Sequence, residues 1–338
     1  MCYEWGKNGA YSNTDQLADL DYKLLEQIVL ETAPAKPKYE FFGGEPLLYK
    51  DLFSAISLIK ASDCKVDFPS NGVLLHRFSE EIVNTGPDCI WVSLDGPPDI
   101  NDKQRGKGVF DKAWQGIVSV QELKRLKKKS LPQIGVTFVV TLNNYEHILD
   151  FFTESVDIGV IDYINIEFQR YITKVEFDEY KSRIKNDFNV MNSGSAYGFI
   201  QSPEDFSGIN FSYLSQQINN LKIFCRMKSI PLSVVPDIAS TEDIASYFSA
   251  GWEQVSIWEK KCFLPWIHAE ISANGDVTVC PAIYDFPPGN VYQKNFSDIW
   301  NGDEIKNVRK SIRRKLLPIC YACCRHYQQP QKKIGMPV

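Results

Sequence analysis

The 338 residues leave room, at about 100–200 per domain, for one large domain or for a large domain with a small companion. With 44% hydrophobic and 23% charged residues the chain has the composition of a globular protein with a substantial core, which excludes a disordered chain or a coiled coil. Its 37 Lys+Arg against 42 Asp+Glu, net −5, speak against a dedicated nucleic-acid binder, and no stretch reaches the roughly 18 apolar residues of a membrane span. Met1-Cys2-Tyr3-Glu4-Trp5-Gly6-Lys7 lacks the basic and apolar regions of a secretory signal, so a cytoplasmic location is expected. There, nine cysteines are more naturally thiols or metal ligands than disulfides. Cys2, Cys64, Cys89 and Cys225 are scattered, whereas Cys262, Cys280, Cys320, Cys323 and Cys324 fall in the last quarter.

From Thr14 to about Ile172, helical periods alternate with short apolar runs. Leu17, Leu20, Leu24 and Ile28 recur at steps of three and four behind a possible cap at Thr14 or Asp15, and predict a helix of about five turns. Tyr39-Glu40-Phe41-Phe42 reads as a strand stopped by Gly43-Gly44, and Leu52 to Ile59 as the next helix. Further strands are expected at Lys65 to Phe68, Cys89 to Leu94, Ile134 to Thr141 and Tyr163 to Phe168, with helices near Ser79 to Asn84, Phe110 to Lys128 and Tyr145 to Val156. Such alternation implies parallel βαβ units with right-handed crossovers, in an open sheet or a barrel. Asn186 to Ser212, rich in Ser, Asn and Gly, reads as a long loop. A helix from about Leu214 to Met227 and the run Leu232-Ser233-Val234-Val235 would close this domain, giving a division into residues 1–240 and 255–330. Beyond Asp237 the pattern predicts a short helix from Glu242 to Phe248, a hairpin within Ile267 to Val279 and short helices near Asp298 and Ile305.

Three motifs stand at the C-terminal ends of successive predicted strands: Gly43-Gly44-Glu45-Pro46, Ser70-Asn71-Gly72 and Ser93-Leu94-Asp95-Gly96. In β/α barrels that edge carries the active site, because its loops converge on one mouth. Paired glycines allow close backbone approach to a ligand, Glu45 offers a carboxylate to a cationic group, and Ser93 and Asp95 suit sugar hydroxyls. Each motif alone is an ordinary turn; their order and shared edge carry the signal.

In that order the motifs resemble those of the radical S-adenosylmethionine (SAM) enzymes. The resemblance implies an α/β fold, a partial (β/α)6 TIM-like barrel, with a CxxxCxxC loop whose three thiolates hold a four-iron, four-sulfur (4Fe-4S) cluster and leave one iron open for SAM. It also implies that Gly43, Gly44, Glu45 and Pro46 contact the SAM amine, that Ser93 and Asp95 lie near the ribose and the strand end at Glu167 to Arg170 near the adenine, and that Asn71 belongs to the same cofactor-binding set. Cys2-Tyr3 resembles the third cysteine of the loop and the aromatic residue that follows it. On that reading Met1 is an internal methionine of a longer protein, and the first strand and first two cysteines lie upstream.

Near the C-terminus, twelve residues separate Cys262 from Gly275 and four separate Gly275 from Cys280. Ala273-Asn274-Gly275-Asp276 predicts a hairpin turn that would bring Cys262 and Cys280 together. Cys320-Tyr321-Ala322-Cys323 is a CxxC whose sulfurs can face one metal centre. A zinc knuckle with four cysteine ligands satisfies the same spacing. With Gly289-Asn290, Ile299-Trp300 and the terminal CxxC, the pattern is similar to the SPASM or twitch extension of radical SAM enzymes, a small Cys-rich α+β domain. The resemblance implies one auxiliary 4Fe-4S cluster on Cys262, Cys280, Cys320 and Cys323, with Cys324 as the alternative to Cys323. His326 is a conceivable extra ligand but reads first as a surface residue near the chain end.

The implied activity is reductive cleavage of SAM to a deoxyadenosyl radical that abstracts hydrogen from a peptide, protein or small-molecule substrate. The implied partner is an electron donor such as a flavodoxin or ferredoxin. If the written start is genuine, a non-catalytic iron-sulfur or zinc-binding protein is the alternative. The basic runs Lys124 to Lys129 and Lys306 to Lys315 read as solvated helix ends, and Cys64, Cys89 and Cys225 as buried structural thiols.

Overall fold

The computed structural model describes Gly9, residues 18–280 and residues 285–328. Helix α1 (Tyr22–Thr32) starts where Asp21 accepts the Leu24 N–H at 3.1 Å, so it is three turns long rather than five. The caps expected at Thr14 and Asp15 lie outside the described residues. There follow β1 (Lys38–Glu40), α2 (Leu52–Ala61), β2 (Lys65–Ser70), α3 (Ser79–Thr85), β3 (Cys89–Ser93), α4 (Pro98–Arg105), α5 (Val109–Leu126) and β4 (Gln133–Val140). Then come the single turn α6 (Ile148–Asp150), β5 (Tyr163–Phe168), α7 (Lys174–Phe188), α8 (Phe211–Lys228), β6 (Leu232–Val235) and α9 (Thr241–Phe248).

Among the described residues the six strands β1 to β6 form one parallel sheet in sequential order, the arrangement of a partial TIM-like barrel. Side chains alternate between its two faces. Val66, Phe68, Ile90, Val92, Val136 and Ile166 pack under the helices with almost no exposed surface. The opposite, interior face carries Asp67, Trp91, Ser93, Thr137, Asn165 and Glu167 by the same alternation. One face is hydrocarbon and the other is polar, so the interior is suited to a ligand rather than to a sealed core.

Two helices escape the periodicity read from the sequence. α4 is short and polar, with Asn101 its buried residue. α7 occupies part of the segment left without an element; the reciprocal cap of Thr173 and Glu176 starts it, and Phe177, Tyr180 and Ile184 form its buried stripe. The single helix expected from Tyr145 to Val156 is instead a 3-10 turn, α6 and a π turn over Phe151–Ser155. The adjacent Phe151 and Phe152 are both fully buried, and the wider π turn accommodates the pair beside Phe138. Cys64, Cys89 and Cys225 are buried, as expected.

The remaining chain forms a three-stranded antiparallel sheet of β7 (Glu270–Ile271), β8 (Asp276–Thr278) and β9 (Gly289–Asn290), then α10 (Phe296–Trp300) and α11 (Asp303–Arg314). The expected hairpin is the β7–β8 pair, and β9 extends it. A second apolar core forms here, and it shares α1 with the first. Leu25 and Val29 face the barrel core, while Leu24 and Ile28 face the second. Glu31 of α1 accepts the N–H groups of Phe296 (3.1 Å) and Ser297 (2.7 Å) at the start of α10. Arg325 reaches back to Glu40 of β1 at 2.5 Å.

Candidate functional site

Glu45 joins the first two of the three strand-end motifs. Its Oε1 accepts the Ser70 hydroxyl at 2.9 Å and its Oε2 the Asn71 N–H at 2.8 Å, so the loop after β1 is tied to the loop after β2. Burial pushes the Glu45 pKa up, and these donors together with the Leu47 N–H oppose that rise. Pro46 is buried behind it, while Gly43, Gly44 and Asn71 are exposed along the rim. Gly43 has φ +132°, and a Cβ there would meet no atom within 4 Å, so the requirement is for the backbone conformation, with open space in front of it.

Asp95 sits differently. Its side chain is fully buried; Oδ1 accepts the Val139 N–H at 2.8 Å, Oδ2 accepts Gln104 Nε2 at 2.6 Å, and Arg105 Nε lies 2.7 Å from Oδ2 as an ion pair. Its carboxylate is thus occupied within the protein, bracing the ends of β3 and β4, and it stands behind the rim rather than on it. Ser93 is half-buried on the interior face. Deeper on that face, Asp67 pairs with Lys38 at 2.5 Å and accepts Trp91 Nε1 at 3.3 Å; burial raises its pKa against the pull of Lys38. At the end of β5, Glu167 accepts Asn165 Nδ2 at 2.9 Å, and Arg170 donates to Cys324 Sγ at 3.3 Å.

The C-terminal cysteines divide into two neighbourhoods. Cys280, Cys320 and Cys323 are buried and Cys262 half-buried in the second core, all as free thiols. Cys320 feels the charges of Cys323 and Cys262, and Tyr180 those of Cys280 and Cys320, so the four thiols share one region. Burial raises the pKa of each of Cys262, Cys320 and Cys323, Cys323 to about 12, so the thiols are neutral until a metal displaces their protons. Among the described residues, no three His, Cys, Asp or Glu side chains close on a single metal ion. Soft thiolate donors in one region suit an iron-sulfur cluster or a zinc ion. Cys324 faces the barrel instead, beside Arg170, Glu167, Arg325 and Glu40. Cys2 lies outside the described residues. His326 is buried, not on the surface; it packs on Trp258 at 4.5 Å, and burial lowers its pKa to about 4.

Residues 262–324 match the SPASM iron-sulfur cluster-binding domain. The chain is 32% identical over 114 residues to Fe-coproporphyrin III synthase of Methanosarcina barkeri, covering 33% of this chain and 27% of that one. It is 30% identical over 167 residues to a probable GTP 3',8-cyclase of Methanocaldococcus jannaschii, covering 48% and 52% respectively. Its fold matches anSMEcpe with bound AdoMet, with a TM-score of 0.58 and 14% identity over 93% of this chain and 79% of that one. Residues 262–324 are thus a SPASM-type domain, and the rest of the chain shares the fold of anSMEcpe and is similar in sequence, over part of its length, to the cyclase and the synthase. The chain spans about half or less of the length of those sequence relatives. Its described residues contain no helix long and apolar enough to cross a membrane. Arg170, Glu40 and Arg325, which gather around Cys324, were not singled out as a group, because they meet only through the return of the C-terminal segment to β1 and β5. α7 had a readable signal in Thr173-x-x-Glu176 with Phe177, Tyr180 and Ile184 behind it.

Proposed function

We propose that this chain is the barrel and auxiliary domain of a radical SAM enzyme that acts on a polar peptide or small-molecule substrate. The observation that carries the reading is the rim at Gly43 to Glu45 and Asn71: Glu45 fixes two adjacent loops at the mouth of an interior lined with polar groups. In this reading the exposed backbone of Gly43 and Gly44 and the side chain of Asn71 bind and orient SAM, and Glu45 and Pro46 hold that rim in shape. Ser93 offers a hydroxyl on the interior side, while Asp95 positions the strand end that carries it. Asp67, Asn165 and Glu167 give the substrate hydrogen-bonding partners, and Cys2 contributes to the SAM-binding 4Fe-4S cluster. Cys262, Cys280, Cys320 and Cys323 would hold one auxiliary 4Fe-4S cluster. When bound, the clusters supply one-electron chemistry that SAM cleavage requires, with electrons from a flavodoxin- or ferredoxin-like donor. Among the similar proteins, a mycofactocin maturase of Mycolicibacterium smegmatis and Streptococcus suis SuiB bound to its precursor peptide favour a peptide substrate, and the cyclase favours a nucleotide.

Anaerobic reconstitution with iron and sulfide tests the reading, on this chain and on a form extended upstream. About four irons per chain at the auxiliary site, lost in Cys320→Ser, together with methionine and 5'-deoxyadenosine release by the extended form, are expected. Zinc without iron in both forms would remove the radical reading.

A further inference from the structure

α7 lies in the second core, where it packs along the turn that carries Cys320. Tyr180, midway along this helix, has no exposed surface, and Cys280 and Cys320 are both near enough for their charges to act on its phenol. The phenol O–H donates to Asp285 Oδ2 at 3.0 Å. The other carboxylate oxygen accepts the Ser195 N–H at 2.8 Å. Asp285 comes five residues after Cys280, and the next residue, Phe286, stacks on Phe188 of α7 at 4.7 Å with the rings 8° from parallel. Asp285 and Phe286 are therefore fastened to α7 in turn, the first by a hydrogen bond and the second by an aromatic stack. Groups beyond the direct ligands orient those ligands and tune the centre they hold, through hydrogen bonding and local charge.

We propose that Tyr180 and Asp285 are positioning residues for the auxiliary cluster, holding the Cys280 segment against α7 and placing a carboxylate one phenol away from the cluster's sulfurs. The inference rests on the reading that Cys262, Cys280, Cys320 and Cys323 hold an iron-sulfur cluster. Two consequences follow from the geometry. Loosening the Tyr180–Asp285 bond exposes the Cys280 side of the cluster to exchange. Neutralising the carboxylate makes it easier to add an electron to the cluster.

The test uses the full chain, reconstituted anaerobically, in wild-type, Tyr180→Phe, Asp285→Asn and Asp285→Glu forms. A Cys320→Ala form identifies the auxiliary cluster as the paramagnetic signal it lacks. Iron release to bathophenanthroline and a redox titration followed by electron paramagnetic resonance are measured on each. Tyr180→Phe and Asp285→Asn should load iron to the wild-type level and release it from the auxiliary site several-fold faster. Asp285→Asn should also shift the midpoint potential upward, and Asp285→Glu should return it toward the wild-type value. Loaded variants with wild-type release rates and an unshifted potential would overturn the assignment. Should Asp285→Asn fail to fold, Tyr180→Phe, which keeps the ring and its packing, decides by release rate alone. A wild-type chain whose iron signal does not depend on Cys320 would overturn the cluster reading itself, an outcome distinct from intact clusters indifferent to the pair.

Discussion

Glu45 and Asp95 stand in equivalent places in the sequence pattern and have different surroundings. Glu45 bridges two loops at the rim, while Asp95 is enclosed and paired with Arg105. Asp95→Ala would leave the largely buried Arg105 guanidinium without its partner, and is expected to cost about 3–5 kcal/mol in denaturant unfolding. Glu45→Gln keeps the volume but presents an amide N–H group to donors that need an acceptor. Under the proposed function it should weaken SAM binding to the reconstituted protein about tenfold, read by calorimetry, because a lost charge-assisted hydrogen bond is worth roughly that factor. The sequence made the order of the three motifs legible, since each follows an apolar strand. Which carboxylate faces outward was not legible: the Asp95 partner at Val139 is 44 residues away, and the sequence before the fold says nothing of that approach.

At the scale of elements, the strands were the most legible part, because most are short runs of β-branched or aromatic residues, and the loops after β1, β2 and β3 carry Gly. Helix ends were less so: α1 starts at a cap later than the first candidate, and α4 has too little apolar content to show a period. Between elements, close approach rather than pattern decides. Gly72 after β2 has φ +81°, and a Cβ there would lie 2.6 Å from the Ala113 Cβ of α5. Gly72→Ala is expected to destabilise the protein by about 1–3 kcal/mol in chemical denaturation, through overpacking added to backbone strain. The same substitution at Gly43, where a Cβ meets open space, carries only the conformational part and should cost less.

For the whole molecule, α1 is shared by the two cores, and α7 and α11 are tied together within the second. Asp187 of α7 receives Ser311 Oγ and Arg314 from α11 along with Arg183 from its own helix. Burial would raise the Asp187 pKa, but these donors outweigh it and hold the value below the ordinary 3.8. A depressed folded value means the stabilisation is complete above the unfolded pKa and is lost as pH falls through the folded one. The thermal midpoint of the wild type should therefore drop more steeply than that of Asp187→Asn as pH falls below about 4, and a parallel fall in the two would refute the linkage. The contacts of Glu31 with residues 296 and 297, and of Glu40 with Arg325, bear on something other than stability: the order in which the chain is made. As the polypeptide leaves the ribosome, α1 and β1 emerge well before the partners that hold their outer sides, which are synthesised more than 260 residues later. Until Arg325 has emerged, the β1 side of the nascent sheet lacks this clasp, so its fastening follows the synthesis of both cores.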